Sequence, residues 1–345
     1  MEPTILHPST VPADYVKEGA DWLCVFNPRV QRVMDVKLHT HYSVHRVIGS
    51  VRFSPDSSRI AIGYDGGVAI CSPDGTSMVA DRNYVRSVAF SSDCTLLAAA
   101  SEDNLIRVWD VLSTELLHTL LDHSREVYAL DFILNSQTLL SASGDRTIRV
   151  WSLTSSPPTH TVLAIASDQN QKNTGITALS ASPDGRYAAA GSSGGTIRVW
   201  DLKTGSAIVE WKAHDDQIYS ISWSRAGLIS GGLDRVLKKW EVELGDDPSG
   251  RCERAMPHES YVLSTTAIQH GLMKRAVTGS INGTLQMWDL KSSELLFCVM
   301  GHRNSVTSVD LSLDGTYVIS GSGDGDARIC TFFLQCMRRA WPYGL

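Results

Sequence analysis

One unit is written repeatedly along the chain: an apolar alternating run, a turn, a run of small residues ending in Asp, then a run such as Thr196-Ile-Arg-Val-Trp-Asp201. Each unit reads as three short strands and their turns. The clearest marker is an aromatic near the end of the unit, at Trp109, Trp151, Trp200, Trp240 and Trp288, with Cys71 and Cys330 in the equivalent places of the first and last units. Successive spacings are 38, 42, 49, 40, 48 and 42 residues. The Trp-Asp pair is literal at Trp109-Asp110, Trp200-Asp201 and Trp288-Asp289. A period of roughly 40 to 45 residues with that dipeptide is the signature of four-stranded propeller blades, none of which can bury both of its faces alone. The chain is therefore expected to be all-β, a seven-bladed β-propeller.

The two long spacings hold polar insertions, at 155–173 and 244–254, which read as exposed loops between blades. Too few strands follow Cys330 to complete the last blade. The alternating segment Arg32-Val-Met-Asp-Val-Lys-Leu38 fits an outer strand that pairs there and joins the two ends of the chain. Residues 1–20 are expected to be irregular, 21–331 to form the propeller, and 332–345 to be an irregular tail.

The 345 residues are 43% hydrophobic and 20% charged, which excludes a disordered chain. A formal net charge of -6 with scattered Lys and Arg disfavours direct binding of nucleic acid. No apolar run approaches eighteen residues, so no membrane partner is expected. The seven cysteines lack a Cys-x-x-Cys pair and are expected to be buried thiols. No metal-ligand spacing appears among the His residues. The Gly clusters 191–195 and 321–325 lie between strands with no helix after them, so they are turns and not phosphate loops. No cofactor is expected.

A His, a hydroxyl residue and an Asp recur in the units, as in a hydrolase triad. Complete sets are His123, Ser141, Asp145 with Trp151, and His214, Ser230, Asp234 with Trp240. Partial sets are His258, Thr278, Asn282 with Trp288, and His302, Ser320, Asp324 with Cys330. An active site is made once, whereas a structural device is repeated. In WD-repeat propellers such residues form a buried hydrogen-bonded tetrad, and that role is expected here.

Function should then lie on a rim. The innermost strand of a unit begins near an apolar anchor, at Val85, Val127, Ile218, Val262 and Val306. The flanking residues point away from the anchor: Tyr84 and Arg86, Glu126 and Tyr128, Gln217 and Tyr219, Tyr261 and Leu263, Ser305 and Thr307. Tyr supplies contact area and a hydroxyl at low entropic cost, so four Tyr with Arg86 beside them suggest a peptide-binding face. The alternative is that they fill the channel mouth.

Beyond the generic repeat, three stretches carry a sharper likeness: Asp21-Trp-Leu-Cys-Val-Phe-Asn-Pro28 with Asp35-Val-Lys-Leu-His39; Tyr84-Val-Arg-Ser-Val-Ala-Phe90 followed by Glu102-Asp-Asn-Leu-Ile-Arg-Val-Trp-Asp110; and Gly301-His-Arg-Asn-Ser-Val-Thr-Ser-Val309. In these the chain resembles, over about residues 20 to 330, the propeller of the fungal Tup-type, Groucho-related transcriptional corepressors. The resemblance implies a nuclear protein whose face docks DNA-bound transcriptional repressors, with Tyr84, Tyr128, Tyr219, Tyr261 and Asn304 as contacts. It also implies histone tails, histone deacetylases and a tetratricopeptide-repeat protein as partners of the wider family. The helical region through which family members oligomerise has no counterpart before residue 20, so tetramerisation is not expected of this chain alone. The expected function is a non-enzymatic, corepressor-like adaptor; the alternative is a substrate receptor of a ubiquitin ligase or an assembly scaffold.

Overall fold

The structure, a computed structural model, describes residues 4–32, 34–72, 75–134, 137–164, 175–245, 247–270 and 273–334. Two short 3-10 turns, Pro8–Thr10 and Ala13–Tyr15, precede the strands β1 (Val16–Glu18), β2 (Leu23–Phe26) and β3 (Met34–Ser43). The repeat begins with β4 (Ile48–Phe53), β5 (Ile60–Ser72), β6 (Gly75–Phe90), β7 (Leu96–Ser101), β8 (Ile106–Asp110) and β9 (Leu116–Leu120). Next come β10 (Val127–Phe132), β11 (Thr138–Ser143), β12 (Thr147–Ser152) and β13 (Thr159–Ala164), and then β14 (Ile176–Ala181), β15 (Tyr187–Ser192), β16 (Thr196–Asp201) and β17 (Ala207–Lys212). The following blade is β18 (Ile218–Ser224), β19 (Gly227–Gly232), β20 (Val236–Glu243) and β21 (Ser249–Pro257). The chain continues with β22 (Val262–His270), β23 (Met273–Ser280), β24 (Thr284–Asp289) and β25 (Leu295–Met300), and ends with β26 (Val306–Leu311), β27 (Tyr317–Ser322) and β28 (Asp326–Leu334). No helix among the described residues is long and apolar enough to cross a membrane.

Counted as hydrogen-bonded sheets among the described residues, the propeller has six blades, which corrects the expectation of seven. The first two repeats are not separate: β4 to β9 form one six-stranded sheet. The cause is β6, whose N-terminal part pairs with β5 and whose C-terminal part, from Val85, pairs with β7. Between Lys212 and Ile218, by contrast, a loop separates the outer strand of one repeat from the inner strand of the next. Residues 75–90 remain in one strand instead, which pairs with β5 up to Tyr84 through a register shift and with β7 from Val85. The two inserted segments also differ from expectation. Part of 155–173 is the edge strand β13 and part of 244–254 belongs to β21, because edge strands are polar and lack an apolar signature. Of the tail expected at 332–345, residues 335–345 lie outside the described residues.

The N-terminal strand read from Arg32–Leu38 is present: β3 lies antiparallel on β28, with Val36 opposite Phe332 and Leu38 opposite Cys330. Ahead of it, β2 adds to the outer edge of β25 and β1 pairs with β2. Cys24, Phe26, Met34 and Val36 enter one core cluster with Phe297, Val306 and Phe332. Arg328 fixes the strap by donating to the Asp21 carboxylate at 2.8 Å and to its carbonyl at 3.1 Å.

The inner strands β4, β6, β10, β14, β18, β22 and β26 each touch the next, and β26 returns to β4. They share no backbone ladder, so their facing N–H groups need other acceptors. Side chains supply one at every step. Ser50 accepts from Val88 N, Ser87 from Leu130 N, Ser220 from Thr265 N, Ser264 from Val309 N and Ser308 from Val51 N. Where Ala129 and Ala178 replace the serine, Asp131 takes the N–H of Ala181 and Ser180 that of Trp223.

Candidate protein-interaction surface

Both complete His sets close as hydrogen-bonded chains inside their blades. Asp145 accepts from His123 Nδ1 at 2.8 Å, which leaves Nε2 to accept from Ser141 at 2.7 Å; Ser141 Oγ in turn accepts the Trp151 indole N–H at 2.8 Å. The second set repeats this, with Asp234 to His214 at 2.8 Å, His214 to Ser230 at 2.7 Å and Trp240 to Ser230 at 2.8 Å. Burial pushes the Asp145 carboxyl up, and hydrogen bonds from His123 and Thr147 more than reverse it, holding it well below the ordinary carboxylate range. Asp234 is lowered in the same way, by His214 with help from Lys238. Ser141 and Ser230 are fully buried with their partners already engaged, so no substrate reaches them.

The partial sets keep part of the chain. His302 bonds Asp324 at 3.1 Å and Ser320 at 2.8 Å, with Cys330 in the Trp position. His258 Nε2 accepts from Thr278 at 2.9 Å, but its Nδ1 donates to the Met256 carbonyl instead of to an acidic residue, and the buried Trp288 N–H has no partner among the described residues. Asn282 caps Thr284. Burial lowers His258 to about 4, so it is neutral at physiological pH.

On the rim, the structure divides the sequence-predicted residues into two sets. Arg86, Tyr128, Tyr219, Leu263 and Thr307, each one residue after its anchor, line the mouth of the central channel around about 520 Å³ of open space. Tyr84 joins them through Arg86, whose guanidinium lies 5.5 Å from the Tyr84 ring and 5.0 Å from the Tyr128 ring and pairs with Glu102 at 2.7 Å. Gly49 lets the neighbouring strand approach, since a Cβ there would stand 2.1 Å from the Val85 carbonyl oxygen and 3.0 Å from the Tyr84 hydroxyl. Burial pushes that hydroxyl's pKa up. The four Tyr are thus not equivalent: Tyr84 and Tyr261 precede their anchors, while Tyr128 and Tyr219 follow theirs.

Tyr261, Glu126, Gln217 and Asn304 stand outside the mouth. Tyr219 and Tyr261 are exposed, and the Arg235 guanidinium lies 5.8 Å from the Tyr261 ring. Asn304 is exposed and caps Ser305 N. Thr307 is engaged by the ring, donating to the Ile48 carbonyl at 2.7 Å. Sequence reasoning missed Gly49 and Thr177, which complete the mouth after the anchors Ile48 and Ile176. The signal was present in Ile48-Gly-Ser-Val-Arg-Phe53, which matches Val85-Arg-Ser-Val-Ala-Phe90 position by position.

Below the mouth a second space, about 230 Å³, is lined by Arg52, Asp131, Asp310 and neighbouring hydroxyls. Burial raises the pKa of both carboxyl groups, and Arg52 lies 3.7 Å from Asp310. Among the described residues there is no group of three or more His, Cys, Asp or Glu able to hold a metal ion.

Comparison with known families gives a match over residues 47–331 to the model described as the IFT122 first β-propeller. The chain belongs to this WD-repeat β-propeller family. It is similar to the general transcriptional corepressor TUP1 of Saccharomyces cerevisiae, 30% identical over 98% of this chain and 56% of that protein. It is also similar to nuclear distribution protein nudF of Emericella nidulans, 31% identical over 73% of this chain and 60% of the relative. Meiotic fizzy-related protein 1 of Schizosaccharomyces pombe is 26% identical over 73% of this chain and 58% of its own length. The chain therefore spans little more than half of the curated relatives it matches. WD-repeat propellers mediate protein interactions, and these relatives place the chain among them without singling out the Tup type.

Proposed function

We propose that this WD-repeat protein is a non-enzymatic adaptor of the corepressor kind, acting in the nucleus and binding short segments of DNA-bound transcriptional repressors at the channel mouth. The observation that carries the reading is the grouping of Tyr84, Arg86, Tyr128 and Tyr219 around one opening, with Arg86 held between two aromatic rings. Aromatic residues with an Arg at the centre of a concave surface are the composition of binding hot spots. Tyr261, Leu263 and Thr307 extend the surface, and Glu126, Gln217 and Asn304 form its polar border. The likeness to TUP1 supports a repressor as the partner. Histone tails, histone deacetylases and a tetratricopeptide-repeat protein are further candidates on the same ground.

The test is affinity purification of the chain from nuclear extract of its own source, beside the triple variant Tyr84→Ala, Tyr128→Ala, Tyr219→Ala. DNA-binding repressors should come down with the wild type and fall at least tenfold with the variant, while circular dichroism stays that of the folded protein. Equal recovery would move the site off the mouth. Recovery of cullin components in place of repressors would replace this reading with that of a ubiquitin-ligase receptor.

A further inference from the structure

The outer edge of one blade carries exposed leucines, and a second blade of the same chain shows how such an edge is closed. Strands β9 and β25 are reached by nearly the same residues: Asp110-Val-Leu-Ser-Thr-Glu-Leu-Leu117 and Asp289-Leu-Lys-Ser-Ser-Glu-Leu-Leu296. The turns close alike. Asp110 accepts from the N–H groups of Leu112 and Ser113, and Asp289 from those of Lys291 and Ser292. Register fixes the equivalence, because Leu116 lies opposite Trp109 as Leu295 lies opposite Trp288, and Leu120 opposite Ile106 as Val299 opposite Leu285.

Their surroundings differ. On β25 the strand β2, Leu23-Cys-Val-Phe26, has added antiparallel, and Leu295 is 1% exposed. On β9 no strand has added among the described residues, and Leu116 is 51% exposed with Leu112 at 79% and Leu121 at 58%. Strand β13 is uncharged like β9 but presents Thr159 and Thr161 in place of a Leu pair, while two other open edges carry charge, with Glu210 and Lys212 on β17 and Arg251 and Glu253 on β21. Such residues protect an edge against pairing, and Leu116–Leu120 contains no charged residue of this kind.

We propose that β9 is a second docking site, at which an extended apolar segment of another protein adds as an antiparallel strand in the way that β2 adds to β25. The charges at its ends define the occupant further. Glu115 and Asp122 are both exposed and stand just before and just after the strand, so the incoming segment is apolar in its middle and basic at its ends. The same charges argue against a second copy of this chain. Antiparallel pairing of β9 with itself would set Glu115 of one copy beside Asp122 of the other at both ends, in a molecule of net charge -6.

The probe is a synthetic peptide of residues 21–28 with Cys24 replaced by Ser and Lys-Lys added at each end, titrated into the intact chain by fluorescence anisotropy. Binding should slow amide hydrogen exchange in residues 116–121 and weaken at least tenfold in the double variant Leu117→Lys, Leu121→Lys. Both side chains are exposed, so the fold should survive the change. The Tyr84, Tyr128, Tyr219 triple Ala variant should bind the peptide as the wild type does, which separates this site from the channel mouth. Unchanged binding by the Lys variant, or protection at 295–300 or 217–219 in place of 116–121, would overturn the proposal. So would a wild-type dimer in sedimentation velocity that the Lys variant abolishes, since β9 would then serve self-association.

Discussion

Ser141 and Thr278 occupy the same place in two blades, yet the structure gives them different numbers of dependants. Ser141 Oγ accepts the Trp151 N–H and donates to His123, whereas Thr278 serves His258 alone and leaves the Trp288 N–H unpaired. Replacing Ser141 by Ala strands two buried groups, each costing about 1–2 kcal/mol, for an expected loss of roughly 2–4 kcal/mol. Thr278→Val keeps the side-chain shape and strands one, for about 1–2 kcal/mol. A double-mutant cycle isolates the difference. Ser141→Ala combined with Trp151→Phe should show a coupling of about 1–2 kcal/mol, because the indole N–H and its acceptor are removed together. Thr278→Val with Trp288→Phe should show less than about 0.5 kcal/mol. Equilibrium urea unfolding followed by far-ultraviolet circular dichroism reads both cycles without depending on Trp fluorescence. Equal couplings would refute the reasoning, since they would mean that Trp288 is bonded to Thr278 in solution or that the Ser141 network contributes nothing through its Trp.

His258 predicts a pH window. Burial lowers it to about 4 in the fold, against about 6.5 in an unfolded chain, so the unfolded state binds the extra proton between those values. Stability should therefore fall as pH drops from about 6.5 to about 4, by on the order of 3 kcal/mol, and His258→Gln should flatten that part of the profile in urea midpoints taken at each pH. The strap gives a further test. Val36 of β3 is fully buried against the last blade, and Val36→Ala should cost about 2 kcal/mol. A thermal midpoint unchanged by this substitution would show that β3 does not hold the ring closed.

The Trp markers made most of the architecture legible, because a side chain that fills the interface between blades must recur at the blade period. The partition of the first two repeats was not legible. Cys71 stands in the place of the first Trp, and no Gly or Pro interrupts Val79-Ala-Asp-Arg-Asn-Tyr84, so nothing in the sequence distinguishes a loop there from a strand that continues. At the rim, the anchors pointed to Arg86, Tyr128 and Tyr219, which line the channel mouth because alternation fixes side-chain direction. The same rule counted Tyr84 and Tyr261 with them, since residues on either side of an anchor point the same way but stand at different heights. The serines that join inner strands recur visibly, as in Val85-Arg-Ser-Val88 and Val306-Thr-Ser-Val309, but their role depends on a neighbouring blade that local sequence does not reveal.

The strap also orders events in time. Strand β3 leaves the ribosome before its partner β28, which lies about 290 residues further along. At synthesis rates of roughly 5–20 residues per second, β3 waits on the order of 15–60 s with its pairing groups unmet. The last blade can be completed only after its own strands emerge, so ring closure follows the synthesis of every blade. Until then the nascent chain presents an open sheet edge at each end of the unclosed ring, and chaperone contact should concentrate in that interval.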